Sequence, residues 1–174
     1  MTDLVTAVLI VGASVSSGFS GTPSGEILAR LLKVPFVNQA SACHRVEADE
    51  VKPAPGTLVF NLDGNYWRSY DTDGAKAAQA VRDFYARAAG FRKVMATVPA
   101  RNAGGFYRFV CGAEESEQVS RSAVNAAIVE GCKEGCTLLD ADELYDEHKD
   151  VSDIHLTPEI WRTVAERIYN EKLK

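Results

Sequence analysis

The chain begins with an unbroken apolar run. "TAVLIVGAS" (6–14) carries hydrophobic residues at consecutive positions instead of alternating ones, as expected of a strand covered on both faces. "SGEILARLL" (24–32) changes period: Ile27, Leu28, Leu31 and Leu32 recur at helical spacing, and Ser24 stands where a cap would. "VPFVNQAS" (34–41) reads as a second strand, and "GTLVFNLD" (56–63), after the breaker "KPAPG", as a third. An Ala-rich helix follows over 71–90, with Val81, Phe84 and Tyr85 on one side and Gly90 as its stop. "RKVMATVPA" (92–100) is a fourth strand. The helix over 114–132 is expected to present Val119, Ala123 and Ala126–Ala127 on one face. "CTLLDADELY" (136–145) begins as a fifth strand. The helix over 157–174 has Thr157 as cap, Pro158 at its first position, and a stripe of Ile160, Trp161, Val164, Ala165 and Ile168.

Strands alternating with helices, without a repeat or a low-complexity linker, predict one α/β domain over residues 1–174 with a mainly parallel sheet covered on both faces. Such sheets bind ligands outside the carboxyl ends of their strands. The polar loops at 12–20, 38–45, 61–67 and 99–105, with "DEHKDVSDIHLT" before the last helix, therefore converge on one rim.

Composition narrows the function classes. With 174 residues, 46% apolar and 25% charged, the chain has an ordinary globular mixture and enough length to bury a core. A net charge of −5 argues against a broad nucleic-acid surface. The apolar stretch Val8–Val11 is short and lacks a basic leader, so neither a signal peptide nor a membrane anchor is expected, and the chain reads as cytoplasmic. Its cysteines, Cys43, Cys111, Cys132 and Cys136, are then expected as reduced thiols. "GCKEGC" holds two of them close together, but no second ligand pair follows at metal spacing. No metal and no cofactor is expected. Oligomeric state is not legible.

The chemistry lies at the chain's two ends. Ser14 follows the first strand, and His155 stands just before the last helix in "VSDIHLTPEIW". A serine hydroxyl is a poor nucleophile at neutral pH. An imidazole, with an unperturbed pKa near ~6.5, can take its proton and return it to a leaving group. "VGAS" and "DIHLTPEIWRTVAERI" together resemble the SGNH (GDSL-type) hydrolases, in which a serine follows strand one in a Gly-Asp-Ser motif and a histidine in Asp-x-x-His opens the final helix.

The resemblance implies a flavodoxin-like three-layer α/β/α sandwich with a five-stranded, mainly parallel sheet. It also implies an esterase cleaving a small carboxylester or O-acetyl group through an acyl-enzyme. Ser14 would be the nucleophile and His155 the base, with the oxyanion held by the backbone N–H groups of Ser14 and Ala42 and by the Asn65 amide. Asp63 is the alternative working residue of its loop. Trp67 and Arg101 would face the substrate, with Tyr66, Phe106 and Tyr107 as further pocket aromatics. The chain departs from the family pattern at Ala13 (for aspartate), Ala42 (for glycine) and Ser152, three before His155, where the family has its acid. Asp153, Ser152 or a backbone carbonyl then orients the imidazole.

Two other classes compete. "SVSSGFSGTPSGE" resembles the hydroxyl-rich phosphate loop of flavodoxins, which implies an FMN-binding protein whose phosphate sits at a helix N-terminus. A catalytically weak SGNH-like binding module is the other. The acid-rich run 140–155, with His148 and His155, reads as a solvated loop and not as a metal site.

Overall fold

A computed structural model of the chain describes residues 4–12, 16, 18, 21–42, 48–62, 74–98, 117–147 and 157–173. The elements follow the predicted alternation: β1 (Ala7–Ile10), α1 (Ser24–Leu32), β2 (Phe36–Asn38), a 3₁₀ turn (Ala48–Glu50), β3 (Thr57–Asn61), α2 (Gly74–Arg87), β4 (Arg92–Ala96), α3 (Glu117–Gly131), β5 (Cys136–Leu139), α4 (Ala141–Glu147) and α5 (Pro158–Ile168). A π-helical turn, Tyr169–Leu173, ends the described chain. The strands form one sheet in the order β2-β1-β3-β4-β5, every neighbouring pair parallel. This is the flavodoxin-like order, whose direction of growth reverses between β1 and β3.

The continuous apolar runs are explained by burial. β3 is buried at all five positions, and β1 at Val8, Leu9 and Ile10. Alternate residues point to opposite faces. On one side Leu9, Val11, Val59 and Met95 meet Ala77, Val81 and Phe84 of α2 and Val124, Ala127 and Ile128 of α3. On the other, Val8, Ile10, Leu58, Phe60 and Val94 meet Leu28 and Ala29 of α1 and Trp161, Val164, Ala165 and Ile168 of α5. The final stripe therefore lies where its spacing predicts, with Ile160 half-buried at its border.

Gly25 sets how closely α1 lies on the sheet. A Cβ there would fall 2.7 Å from Ile10 Cγ1 and 3.0 Å from Phe60 Cδ1, atoms of two fully buried side chains. Gly25→Ala is expected to lower unfolding free energy by about 1–3 kcal/mol, the usual cost of overpacking, as read by urea denaturation.

Several expectations are corrected. Strands are shorter than the apolar runs: Val11 and Leu62 are buried past the ends of β1 and β3. The fifth strand stops at Leu139. There the Asp140 carboxylate accepts the Asp142 N–H at 2.9 Å and starts α4. Ser24 is not the cap of α1: Pro23 holds that position, and the buried Ser24 is the first helical residue. On α3 the inward face is Val124, Ala127 and Ile128, with Ala126 exposed and Ala123 half-buried. Of Val119 only the backbone is described. The helix is apolar on two sides ("AVNAAIV"), so sequence spacing does not decide which side packs. Cys132 and Cys136 are not reduced thiols but are joined in a disulfide.

Among the described residues no helix is long and apolar enough to cross a membrane. No group of His, Cys, Asp or Glu among them is arranged to hold a metal ion.

Candidate active site

The reversal point between β1 and β3 opens at the carboxyl ends of the strands, where the chain leaves β1, β2 and β3. Hydrogen bonds fasten these exits to one another. Val11 N–H donates to Phe60 C=O at 3.0 Å, and Gln39 N–H to Ile10 C=O at 2.8 Å, which extends the β1 ladder on both sides. One step further out, Ser41 N–H donates to Gly12 C=O at 3.2 Å. The buried Ser16 hydroxyl accepts the Leu62 N–H at 3.1 Å. The loop after β1 is thus tied to the loops after both neighbouring strands.

Gly12 makes that tie sterically feasible. Its φ is +133°, and a Cβ there would lie 2.6 Å from Ser16 Oγ and 3.1 Å from Asn61 Nδ2. The glycine that ends the first apolar run is required by this close approach as much as by the backbone turn.

The same loop reaches α5. Gly21, with φ +151°, lies so close to Pro158 that a Cβ would come within 2.8 Å of its Cγ. The Ser24 hydroxyl donates to the Trp161 carbonyl at 3.2 Å in a buried contact. Two segments 137 residues apart therefore pack together: the end of the loop that carries Ser14, and the first turn of the helix that follows His155. At that turn Thr157 stands as N-cap with Pro158 after it. The exposed Glu159 carboxyl is held below its ordinary range, first by its own backbone N–H, then by the Thr157 hydroxyl, with Arg162 adding to the effect. A negative charge there suits the helix N-terminus.

The fourth exit is held from α3. Asn125 grips Val98 from both sides, its Oδ1 accepting the Val98 N–H at 2.8 Å and its Nδ2 donating to the Val98 carbonyl at 3.0 Å. Arg121 donates to the same carbonyl at 3.0 Å and pairs with Asp142 of α4 at 2.6 Å. The segment that leads to Arg101 starts from this fixed point.

Of the sequence-predicted site residues, Ala42 is described: it is exposed and follows Ser41 directly, beside the Gly12 tie. Ser14, Asp63, Asn65, Trp67, Arg101, Ser152, Asp153 and His155 lie outside the described residues, as do Tyr66, Phe106, Tyr107, His44 and His148. Sequence reading took Ser16 as one of several loop serines and Asn61 as the start of a polar loop, whereas Asn61 is the last residue of β3. The signal for Asn61 was a polar residue inside an apolar run, "LVFNL", which is fully buried at the end of β3. A cleft of about 460 Å³ lined by Leu4, Thr6, Gly56, Phe91 and Arg92 lies at the amino ends of the strands, the opposite edge, and takes no part in this rim.

No protein-family model matches the chain, and no curated protein gives a significant match. Solved structures do share its fold. One, from Desulfitobacterium hafniense DCB-2, is named as a candidate lipolytic protein of the G-D-S-L family. It aligns over 92% of this chain and 96% of its own at 14% identity, with a TM-score of 0.63. A protein from Lactobacillus plantarum aligns over 97% and 96% at 12% identity, TM-score 0.65. The esterase AlinE4, as its S13A mutant, aligns over 98% and 95% at 11% identity, TM-score 0.53. The chain has the α/β sandwich fold of these structures.

Proposed function

We propose that the chain is a divergent SGNH-type ester hydrolase, a single unit over residues 1–174, acting on a small carboxylester or O-acetyl group. Ser14 attacks the carbonyl carbon while His155 removes the hydroxyl proton. The tetrahedral oxyanion is held by the Ser14 and Ala42 N–H groups and the Asn65 amide, a donor of this kind contributing about 3 kcal/mol in the transition state. His155 returns its proton to the leaving alcohol, and water, activated by the same imidazole, cleaves the acyl-enzyme. Asp153 orients His155, while Asp63, Trp67 and Arg101 border the substrate. No cofactor is required.

The observation that supports this reading is the packing of the two chain ends, Gly21 against Pro158 and the Ser24 hydroxyl on the Trp161 carbonyl. It brings together the segments that follow the proposed nucleophile and the proposed base in sequence. The shared fold with a G-D-S-L-named structure and an esterase agrees with it. The FMN reading fits less well. A phosphate at the α1 N-terminus would need open space and free hydroxyls, whereas Pro23, Ser24 and Gly25 are buried and the Ser24 hydroxyl is committed to α5. A cytoplasmic location belongs to the proposal too.

The test is hydrolysis of short-chain acyl esters by wild type, Ser14→Ala and Asp153→Asn. Turnover by wild type, its loss in Ser14→Ala, and a drop of orders of magnitude in Asp153→Asn are expected. A drop of only a few-fold in Asp153→Asn moves the orienting role to Ser152 or the backbone. Equal turnover by wild type and Ser14→Ala contradicts the proposal, and no turnover by either favours a binding module.

A further inference from the structure

At the opposite edge of the molecule from the proposed site, the end of α3 and the start of β5 place Cys132 and Cys136 with Cα atoms 5.2 Å apart, bridged as a disulfide. Backbone hydrogen bonds hold the connecting turn. Cys132 N–H donates to Ile128 C=O at 2.9 Å, Lys133 N–H to Gly131 C=O at 3.0 Å, and Cys136 N–H to Lys133 C=O at 3.0 Å. Gly135 supplies the left-handed residue (φ +75°) with open space around it. The sulfurs are therefore kept adjacent by the turn itself, so forming or opening the bond requires no large backbone rearrangement.

The turn is exposed at Lys133, Glu134 and Gly135, while the two cysteines at its ends are half-buried and pack against the core cluster of α2 and α3. A bridge closing so few residues removes little unfolded-state entropy, unlike the long-loop bridges that staple domains. Behind the pair, Cys136 is the register partner of Lys93 on β4, so the two residues stand side by side on one face of the parallel ladder. Lys93 is buried, and its ammonium donates to the Ala88 carbonyl at 3.0 Å and the Phe91 carbonyl at 2.6 Å. The Tyr85 ring lies directly against Gly131, next to Cys132.

We propose that Cys132 and Cys136 form a redox-exchanging pair whose partners are thiols of the glutathione class. A thiolate attacks one sulfur of the bridge, forming a mixed disulfide as the Cys–Cys bond breaks, and the other cysteine leaves as a thiolate. A second thiol then resolves the mixed disulfide. Two thiols are oxidised to one disulfide, and their two electrons and two protons end on the two cysteines. In a reducing compartment such a bond is expected as an exchanging one and not as a permanent staple. This inference rests on the proposed cytoplasmic location and not on the ester-hydrolase chemistry.

The experiment equilibrates the full chain in reduced/oxidised glutathione mixtures spanning several orders of magnitude, quenches with acid, alkylates, and quantifies both cysteines by peptide mass spectrometry. The pair should convert reversibly from dithiol to disulfide within that range. A bridge that survives the most reducing glutathione mixture and yields only to dithiothreitol would be structural, and would overturn the proposal. Thiols that stay free in excess oxidised glutathione would overturn it equally.

Discussion

Replacing His155 with alanine is expected to lower kcat for short acyl esters by about 10⁴-fold or more, the scale on which serine hydrolases lose activity without their base. KM should change little, since the imidazole acts on the proton of Ser14 and not on the ground-state substrate. The fold should survive, because the contacts that seat α5 are made by Trp161, Val164, Ala165 and Ile168 further along the helix. Measuring kcat, KM and the thermal midpoint on one preparation separates a lost base from a lost fold. The residual rate of His155→Ala should no longer rise with pH as an imidazole deprotonates, and wild type should show that rise. A fall of only a few-fold would place the proton transfer elsewhere.

Gly12→Ala is the second large effect. The new methyl must overlap the Ser16 hydroxyl and crowd Asn61 in a backbone conformation that L side chains rarely adopt. Its expected cost in stability is about 1–3 kcal/mol. Its effect on turnover is expected to be larger, about 10²-fold, because the hydroxyl–Leu62 tie holds the loop on which Ser14 lies two residues from Gly12, and displacement by roughly 1 Å is enough for such a loss. Denaturation and ester kinetics on the same variant give both numbers. A variant with reduced stability but full turnover would show that the tie serves only the fold.

These two substitutions mark how far the sequence could be read. The element order was legible because the central strands β1, β3 and β4 are runs too apolar for one-sided burial, whereas β2 is exposed at all three positions, and because α5 carries a stripe at clean helical spacing. Glycine positions were legible as turns but not as points of contact. Nothing local in "SGTPSGE" says that Gly21 meets Pro158 or that the Ser24 hydroxyl turns to the Trp161 carbonyl. Those are consequences of placing α1 and α5 side by side on one face of the sheet. The same blindness misplaced the inward face of α3, where small apolar residues occur on both sides and only the packing against α2 selects Val124 and Ile128. It also hid the Cys132–Cys136 bridge, which depends on how α3 ends and not on residue spacing alone. At the rim, motif residues suggested a nucleophile and a base, whereas the ties between the loops after β1, β2 and β3, Ser16 to Leu62 and Ser41 to Gly12, needed coordinates.

The account turns on Ser14 being activated by His155 at the rim between β1 and β3. Reaction with a fluorophosphonate, followed by peptide mass spectrometry, tests that most directly. It predicts one adduct, on Ser14, formed far more slowly in His155→Ala. An adduct on another residue, none at all, or equal rates in the two proteins would contradict it.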